Sequence, residues 1–208
     1  MILGVPTQEK GTRPARALPY ELDARATVRA SNGTVGLTFV NTGSAAAVFQ
    51  VRSGNPADTV RNYTVGSSKF LGDSWNIAAS SYSLSVYGPN GFVRYFNGSV
   101  GSSAAVLGVS SSYATEGKGS IALTITNLTG ASAAVNILDA YTGNVVTKLI
   151  PAHGIFENTW SLEQFPGWYD LIVTVAGDPT FKYELAGHVE TGQDSISDPA
   201  LGGLTLKS

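Results

Sequence analysis

No cysteine occurs anywhere in this 208-residue chain. That absence removes disulfides, thiol nucleophiles and zinc–thiolate centres together. Charge is scarce as well: 13 Lys and Arg stand against 15 Asp and Glu, a net charge of −2. So weak a field gives no general attraction to nucleic acid or to an anionic membrane. No apolar run approaches the ~18 residues of a transmembrane segment. Met1 to Pro6 lacks the charged start of a secretory leader, so an export signal is not expected in this chain. Histidine appears twice, as His153 and His188. No Gly-x-Ser-x-Gly elbow accompanies them, and no glycine-rich loop opens a helix. Asp194 to Asp198 lacks the central glycine and closing glutamate of a calcium loop. Both histidines are therefore expected on the surface or in loops, with no metal and no cofactor.

What the chain does have is a repeat. Gly33-Thr-Val-Gly-Leu-Thr-Phe-Val-Asn41 returns as Gly119-Ser-Ile-Ala-Leu-Thr-Ile-Thr-Asn127. Asn41 and Asn127 are 127 − 41 = 86 residues apart, and Trp75 and Trp160 are 160 − 75 = 85 apart. Tyr82 and Tyr169 are 169 − 82 = 87 apart. Landmarks in one order at nearly one offset mark a duplicated unit, too long for a solenoid repeat of ~20–50 residues. Within each copy, Val35, Leu37 and Phe39, then Ile121, Leu123 and Ile125, alternate with small or polar residues. That is the period of a half-buried strand. Gly88-Pro89-Asn90-Gly91 signals a hairpin, and Ala176-Gly177-Asp178-Pro179 holds the equivalent place. No amphipathic helix is apparent.

Short strands with Gly, Ser and Asn turns predict an all-β fold of two tandem immunoglobulin-like β-sandwich domains. Residues 1–18 read as a linker, 19–101 as the first repeat, 102–200 as the second and 201–208 as a tail. The two units are expected to join near Val100 to Ser103, each with its own sheets. Tyr82 and Tyr169 sit where such domains place a corner tyrosine, whose hydroxyl ties a loop to the backbone. Trp75 and Trp160 match between repeats and read as core. Trp168 has no counterpart, since Ser81 lies opposite it. It is either buried at a domain contact or exposed at a sandwich end. Phe92, just after the first hairpin turn, either packs beneath that turn or is exposed at its tip. If exposed, Trp168 and Phe92 are the candidate lipid or ligand contacts. Asn-x-Ser/Thr matches at Asn32, Asn62, Asn97 and Asn127 follow from turn-rich composition and carry no assigned role.

Gln8 to Leu22 resembles the junction that follows the catalytic domain in bacterial phosphocholine-specific phospholipases C. Tyr87-Gly-Pro-Asn-Gly-Phe-Val-Arg94 resembles the first of two C-terminal repeats in that family. Gly167-Trp-Tyr-Asp-Leu171 and His188-Val-Glu-Thr-Gly192 resemble the second, and the likeness covers about residues 6 to 200. The resemblance implies a fragment. The family's hydrolytic site sits in a larger N-terminal domain, so no catalytic residue carries over to this chain. It further implies an exported parent that cleaves phosphatidylcholine or sphingomyelin, a secreted or periplasmic location, and the parent's catalytic domain as partner. A phospholipid surface is the second partner in view; nucleic acid is not expected. The leading expectation is a non-catalytic accessory module. The alternatives are a structural tandem of immunoglobulin-like domains, a carbohydrate-binding module with aromatics aligned on one face, and a hydrolase. The last requires Ser and Asp or Glu side chains gathered around His153 or His188.

Overall fold

The computed structural model describes residues 11–77, 80–101 and 106–200. Residues 1–10 and 201–208 of the expected linker and tail lie outside these, as do Ser102 and Ser103 of the expected join. Among the described residues the first half contributes β2 (Leu22–Arg29), β3 (Thr34–Asn41), β4 (Ala47–Ser53), β5 (Arg61–Val65), β6 (Lys69–Asn76), β7 (Ser81–Tyr87) and β8 (Val93–Ser99). The second contributes β9 (Leu107–Ala114), β10 (Ser120–Asn127), β11 (Ala133–Asp139), β12 (Val145–Ile150), β13 (Ile155–Ser161), β14 (Trp168–Val175) and β15 (Asp178–His188). Two short strands, β1 (Pro14–Ala15) and β16 (Ser195–Ile196), pair with each other. The predicted alternation is realised in the burial of Val35, Leu37, Phe39, Ile121, Leu123 and Ile125. Helical conformation is confined, among the described residues, to the 3₁₀ turn Ala30–Asn32 and to Val106 just before β9.

Each half divides its strands three and four between two layers. The three-stranded sheets are β2-β3-β6 and β9-β10-β13. The four-stranded sheets are not separate, and here the expectation of independent sheets is corrected. They join edge to edge into one eight-stranded sheet, β12-β11-β14-β15-β8-β7-β4-β5. The seam is β15 against β8, antiparallel, with Lys182 opposite Asn97, Glu184 opposite Tyr95 and Ala186 opposite Val93. The last strands of the two copies correspond at an offset of 98 to 187, that is 187 − 98 = 89 residues. Val93 thus corresponds to Lys182 and Asn97 to Ala186, so each pairs with the counterpart of the other. The halves are related across this seam by a local two-fold axis through the Tyr95–Glu184 pair. Alternation announces which face of a strand is buried; it is silent on whether an edge is left open or paired.

The repeated landmarks prove to be structural clips. Asn41 and Asn127 are fully buried. The Asn41 amide donates to Ala45 O at 2.8 Å and to Val65 O at 3.0 Å, while its oxygen accepts from Gly43 N at 3.1 Å. Asn127 repeats this with Ala131 O at 2.8 Å, Ile150 O at 3.2 Å and Thr129 N at 3.0 Å. Each asparagine thus closes a turn and ties the small sheet to the edge strand of the large one. Trp75 and Trp160 occupy equivalent register, opposite Val35 and Ile121. Trp75 is buried, whereas Trp160 is half-buried. The corner tyrosines hold the expected positions with different partners. Each ring lies over a glycine directly across the ladder, Tyr82 over Gly98 and Tyr169 over Gly187. A Cβ at Gly98 would stand 2.5 Å from the Tyr82 hydroxyl oxygen. That hydroxyl meets Tyr183 Oη at 2.8 Å, a side chain instead of the expected backbone.

Asn127→Ala leaves the Ile150 and Ala131 carbonyls without this donor, and the expected loss is ~2–3 kcal/mol of folding stability. Denaturant unfolding measures it; a variant as stable as the parent chain would remove the asparagine from its clip role.

Candidate functional site

Side chains with chemical potential gather where the two halves and both terminal straps meet. Arg94 is the centre. It follows Phe92 and precedes Phe96 on the inward face of β8, and it is completely buried. Its guanidinium donates from Nη1 to Val93 O at 2.9 Å and Ala186 O at 3.0 Å. Nη2 donates to Tyr113 Oη at 2.7 Å and Tyr169 Oη at 3.1 Å. The Asp23 carboxylate stands 3.7 Å away and also accepts from Ser111 Oγ at 2.9 Å. The Phe92 ring lies 4.3 Å from the guanidinium carbon. Burial alone would lower the Arg94 pKa; the facing Tyr113, Tyr169 and Asp23 outweigh it and raise the value. Burial pushes the Tyr113 hydroxyl well above the usual tyrosine value, so it stays a neutral donor, here to Leu22 O at 2.8 Å. Through Tyr113 and Ser111 the edges of β2 and β9 are bridged by side chains, with no ladder between them.

A second cluster adjoins it at the end of β15. His188 Nδ1 lies 3.0 Å from Glu190 Oε1, and Nε2 lies 3.0 Å from Ser195 Oγ. His188 is not the surface or loop residue expected. Its side chain is only 6% exposed, because the segment carrying β16 folds back over it. His153 does conform: it is exposed, in a turn with φ 56° that matches the φ 56° of Ser68 in the other copy.

The spacings are within reach of a nucleophile–base–carboxylate relay. Proton placement argues for a different task. Ser195 Oγ donates to Pro166 O at 2.9 Å, and His188 Nε2 faces that same carbonyl at 3.2 Å. The serine proton is thus directed at a carbonyl, whereas activation of a serine needs it directed at the imidazole. Glu190 is equally committed: it accepts from Leu18 N at 2.8 Å and from the Asn90 amide. The cluster joins the N-terminal strap, the first hairpin, β15 and the C-terminal strap.

Trp168 and Phe92 both belong to this junction, and neither is exposed. Trp168 is 7% and Phe92 5% accessible. The C-terminal strap covers Trp168, whose indole N–H donates to Ile196 O at 2.8 Å. Its ring also abuts Gly91 of the first hairpin, where a Cβ would come within 2.9 Å. Phe92 packs under its turn, edge-on to Phe49 at 5.6 Å. The aromatic that does face solvent is Phe70, 78% exposed at the start of β6. Arg94 itself escaped the sequence reading, although an arginine in phase with Phe92 and Phe96 was the available signal.

On the outer face of β14, Asp170 lies near the same strap. Its Oδ1 is buried with no hydrogen-bond partner. Burial pushes its pKa up to about 7; Glu184, Asp139 and Asp198 add to the rise and Lys182 opposes it.

The model for the family described as bacterial phospholipase C, C-terminal domain, matches this chain at residues 14–99 and again at 105–188. A non-hemolytic phospholipase C of Burkholderia pseudomallei is 42% identical over 207 residues, covering 95% of this chain and 29% of that protein. In Pseudomonas aeruginosa a non-hemolytic phospholipase C is 36% identical, covering 99% of this chain and 31% of that one. A hemolytic phospholipase C from the same organism is 37% identical, covering 95% and 30%. The chain thus spans about a third of the length of these relatives. A solved structure of a bacterial ice-binding adhesin aligns with 88% of this chain and 66% of its own, at 11% identity and a TM-score of 0.24, which carries no argument.

Two outcomes follow from the junction. Asp23→Ala strands a buried guanidinium, and the expected destabilisation is ~3–5 kcal/mol in denaturant unfolding. A cost no larger than that of an exposed substitution would overturn the assignment. Asp170, with its folded pKa raised, contributes stability that is fully present below the ordinary aspartate value and lost as pH rises through about 7. Between pH 4 and 8 the Asp170→Asn chain is expected to show a flatter stability profile than the parent chain. Parallel profiles would contradict the shift.

Proposed function

Since the chain belongs to the bacterial phospholipase C C-terminal domain family, we propose that it is the non-catalytic accessory module of an exported phospholipase C. In this reading it packs on the parent's catalytic part and braces it, and the parent hydrolyses phosphatidylcholine or sphingomyelin to phosphocholine and a neutral lipid. Residues 1–18 form the linker from that part, and the module divides at 101/102 into its two repeats. The observation that carries the reading is coverage: the relatives match nearly the whole chain, yet it accounts for only 29%, 31% and 30% of their lengths. The commitment of Ser195, His188 and Glu190 to one another and to both straps supports a bracing task. Contact with the lipid surface is the second reading. It is supported by Phe70, which unlike Trp168 and Phe92 offers its ring to solvent.

The test uses the full-length parent and a form lacking this module, assayed for phosphocholine release from phosphatidylcholine vesicles and for thermal stability. Removal is expected to lower both, and the isolated module is expected to release none. A truncated parent with unchanged activity and melting temperature would sink the bracing role. Phosphocholine release by the module alone, abolished by His188→Ala, would sink the non-catalytic one.

A further inference from the structure

The duplication gives each half a cleft at the same place, and the two copies treat it differently. In the first half it lies between the loop after β4, the end of β6 and the start of β7. Gly54 N donates to Ser83 O at 2.8 Å across its floor, and Asn55 N to Ser53 Oγ at 3.1 Å. The second half repeats both bonds, Ala140 N to Asp170 O at 2.9 Å and Tyr141 N to Asp139 Oδ1 at 3.0 Å. Trp75 lines one cleft and Trp160 the other.

The second half seals its cleft with its own chain. The Tyr141 and Phe165 rings lie 4.9 Å apart, and Tyr141 Oη donates to Asp198 of the C-terminal strap at 2.7 Å. A cavity of about 40 Å³ remains. Among the described residues the first half has no such filler. Asn55 stands where Tyr141 does. The connection from Trp75 to Tyr82 spans 82 − 75 = 7 residues against 169 − 160 = 9, and its sequence, Asn76-Ile-Ala-Ala-Ser-Ser81, contains no aromatic ring. The cleft there measures about 420 Å³, with Asp58, Ser81 and Ser83 on its polar rim. Trp75 is 1% exposed, yet its buried indole N–H has no acceptor among the described residues. Arg61 covers its ring at 3.9 Å. Trp75 therefore forms a closed wall of the cleft, and the space left open is the one that aromatic rings fill in the second half.

We propose that the first-half cleft is a docking pocket for an extended polypeptide segment of another part of the assembly. The segment inserts an aromatic side chain where Tyr141 and Phe165 sit in the second half. The occupant is inferred from the second half, which closes the equivalent space with aromatic rings and an extended strap. A sugar is disfavoured because the Trp75 ring is buried and covered by Arg61, leaving no face for stacking. The proposal rests on the accessory-module reading only for the source of the segment, which is then the remainder of the parent enzyme.

The test is an NMR titration of the ¹⁵N-labelled chain with N-acetylphenylalaninamide, which carries both a ring and carbonyl acceptors. N-acetylalaninamide and methyl glucoside serve as comparison probes. Saturable shifts of the Trp75 indole N–H and of the Gly54 and Ser83 amides are expected with the phenylalanine probe, at least tenfold weaker with the alanine probe. Asn55→Tyr, which supplies the filler of the second half, is expected to abolish them, and Trp75→Phe to weaken them at least threefold. Absence of saturable shifts, equal response to the alanine probe, indifference to both substitutions, or a stronger response to the glucoside would each overturn the proposal. Binding of the probe together with a parent enzyme indifferent to loss of the module would keep the pocket and discard only the source of its segment.

Discussion

One guanidinium holds two domains' worth of chain in a single body. Arg94 has no contact with solvent, so its donors depend on protein acceptors; Nη1 and Nη2 find them on β8, β9, β14 and β15, with Asp23 on β2 as counter-charge, and only Nε goes without a partner among the described residues. A buried charge of this kind is costly unless nearly every partner is in place. The halves therefore cannot slide or open at the seam without stranding it. The β15–β8 ladder sets the register of the large sheet, and Arg94 with Tyr113 and Ser111 does the same for the layer beneath, where backbone pairing is lacking. Around that point the hydrophobic core is continuous from one half to the other.

Much of this was legible in the residues, and the limits have physical causes. Strand alternation and the positions of Asn41, Asn127, Trp75 and Trp160 reported local structure and equivalent register, because each acts within its own copy. Edge pairing was not legible: a strand that ends a sheet and one that continues it carry the same alternation. Trp168 was open to misreading for a related reason. Its lack of a counterpart invited exposure, but its cover comes from Ile196 and from Gly91 of the other half. Contacts that distant leave no trace in the local pattern. His188 is buried by the same strap. The unequal burial of the paired tryptophans has a smaller cause: Arg61 caps Trp75, while a valine, Val146, stands in the place of Arg61 in the second copy.

The family assignment and the geometry point the same way. Ser195, His188 and Glu190 have the composition of a catalytic relay and the hydrogen-bond pattern of a fastening. The serine proton is given to a carbonyl, and the carboxylate is loaded by a backbone N–H and an amide. With them, β1 and β16 tie the two straps to each other on the second half. The polar chemistry of the junction is thus directed inward. Among the described residues, what faces outward is the first-half cleft and a set of exposed apolar side chains, Phe70 among them.

The local two-fold at the β15–β8 seam also bears on how the copies diverged. Matching loops point to opposite ends of the sandwich, which is why the hairpin glycine of one half, Gly91, meets Trp168 at the far end of the other. No flat surface can meet the same loop of both copies at once. A duplicated unit arranged this way gains no avidity on a flat surface from keeping its copies alike at their tips. Each tip is free to differ: one is plugged by its own aromatics, and the other is open. The seam that fuses the two repeats is what released them from symmetry.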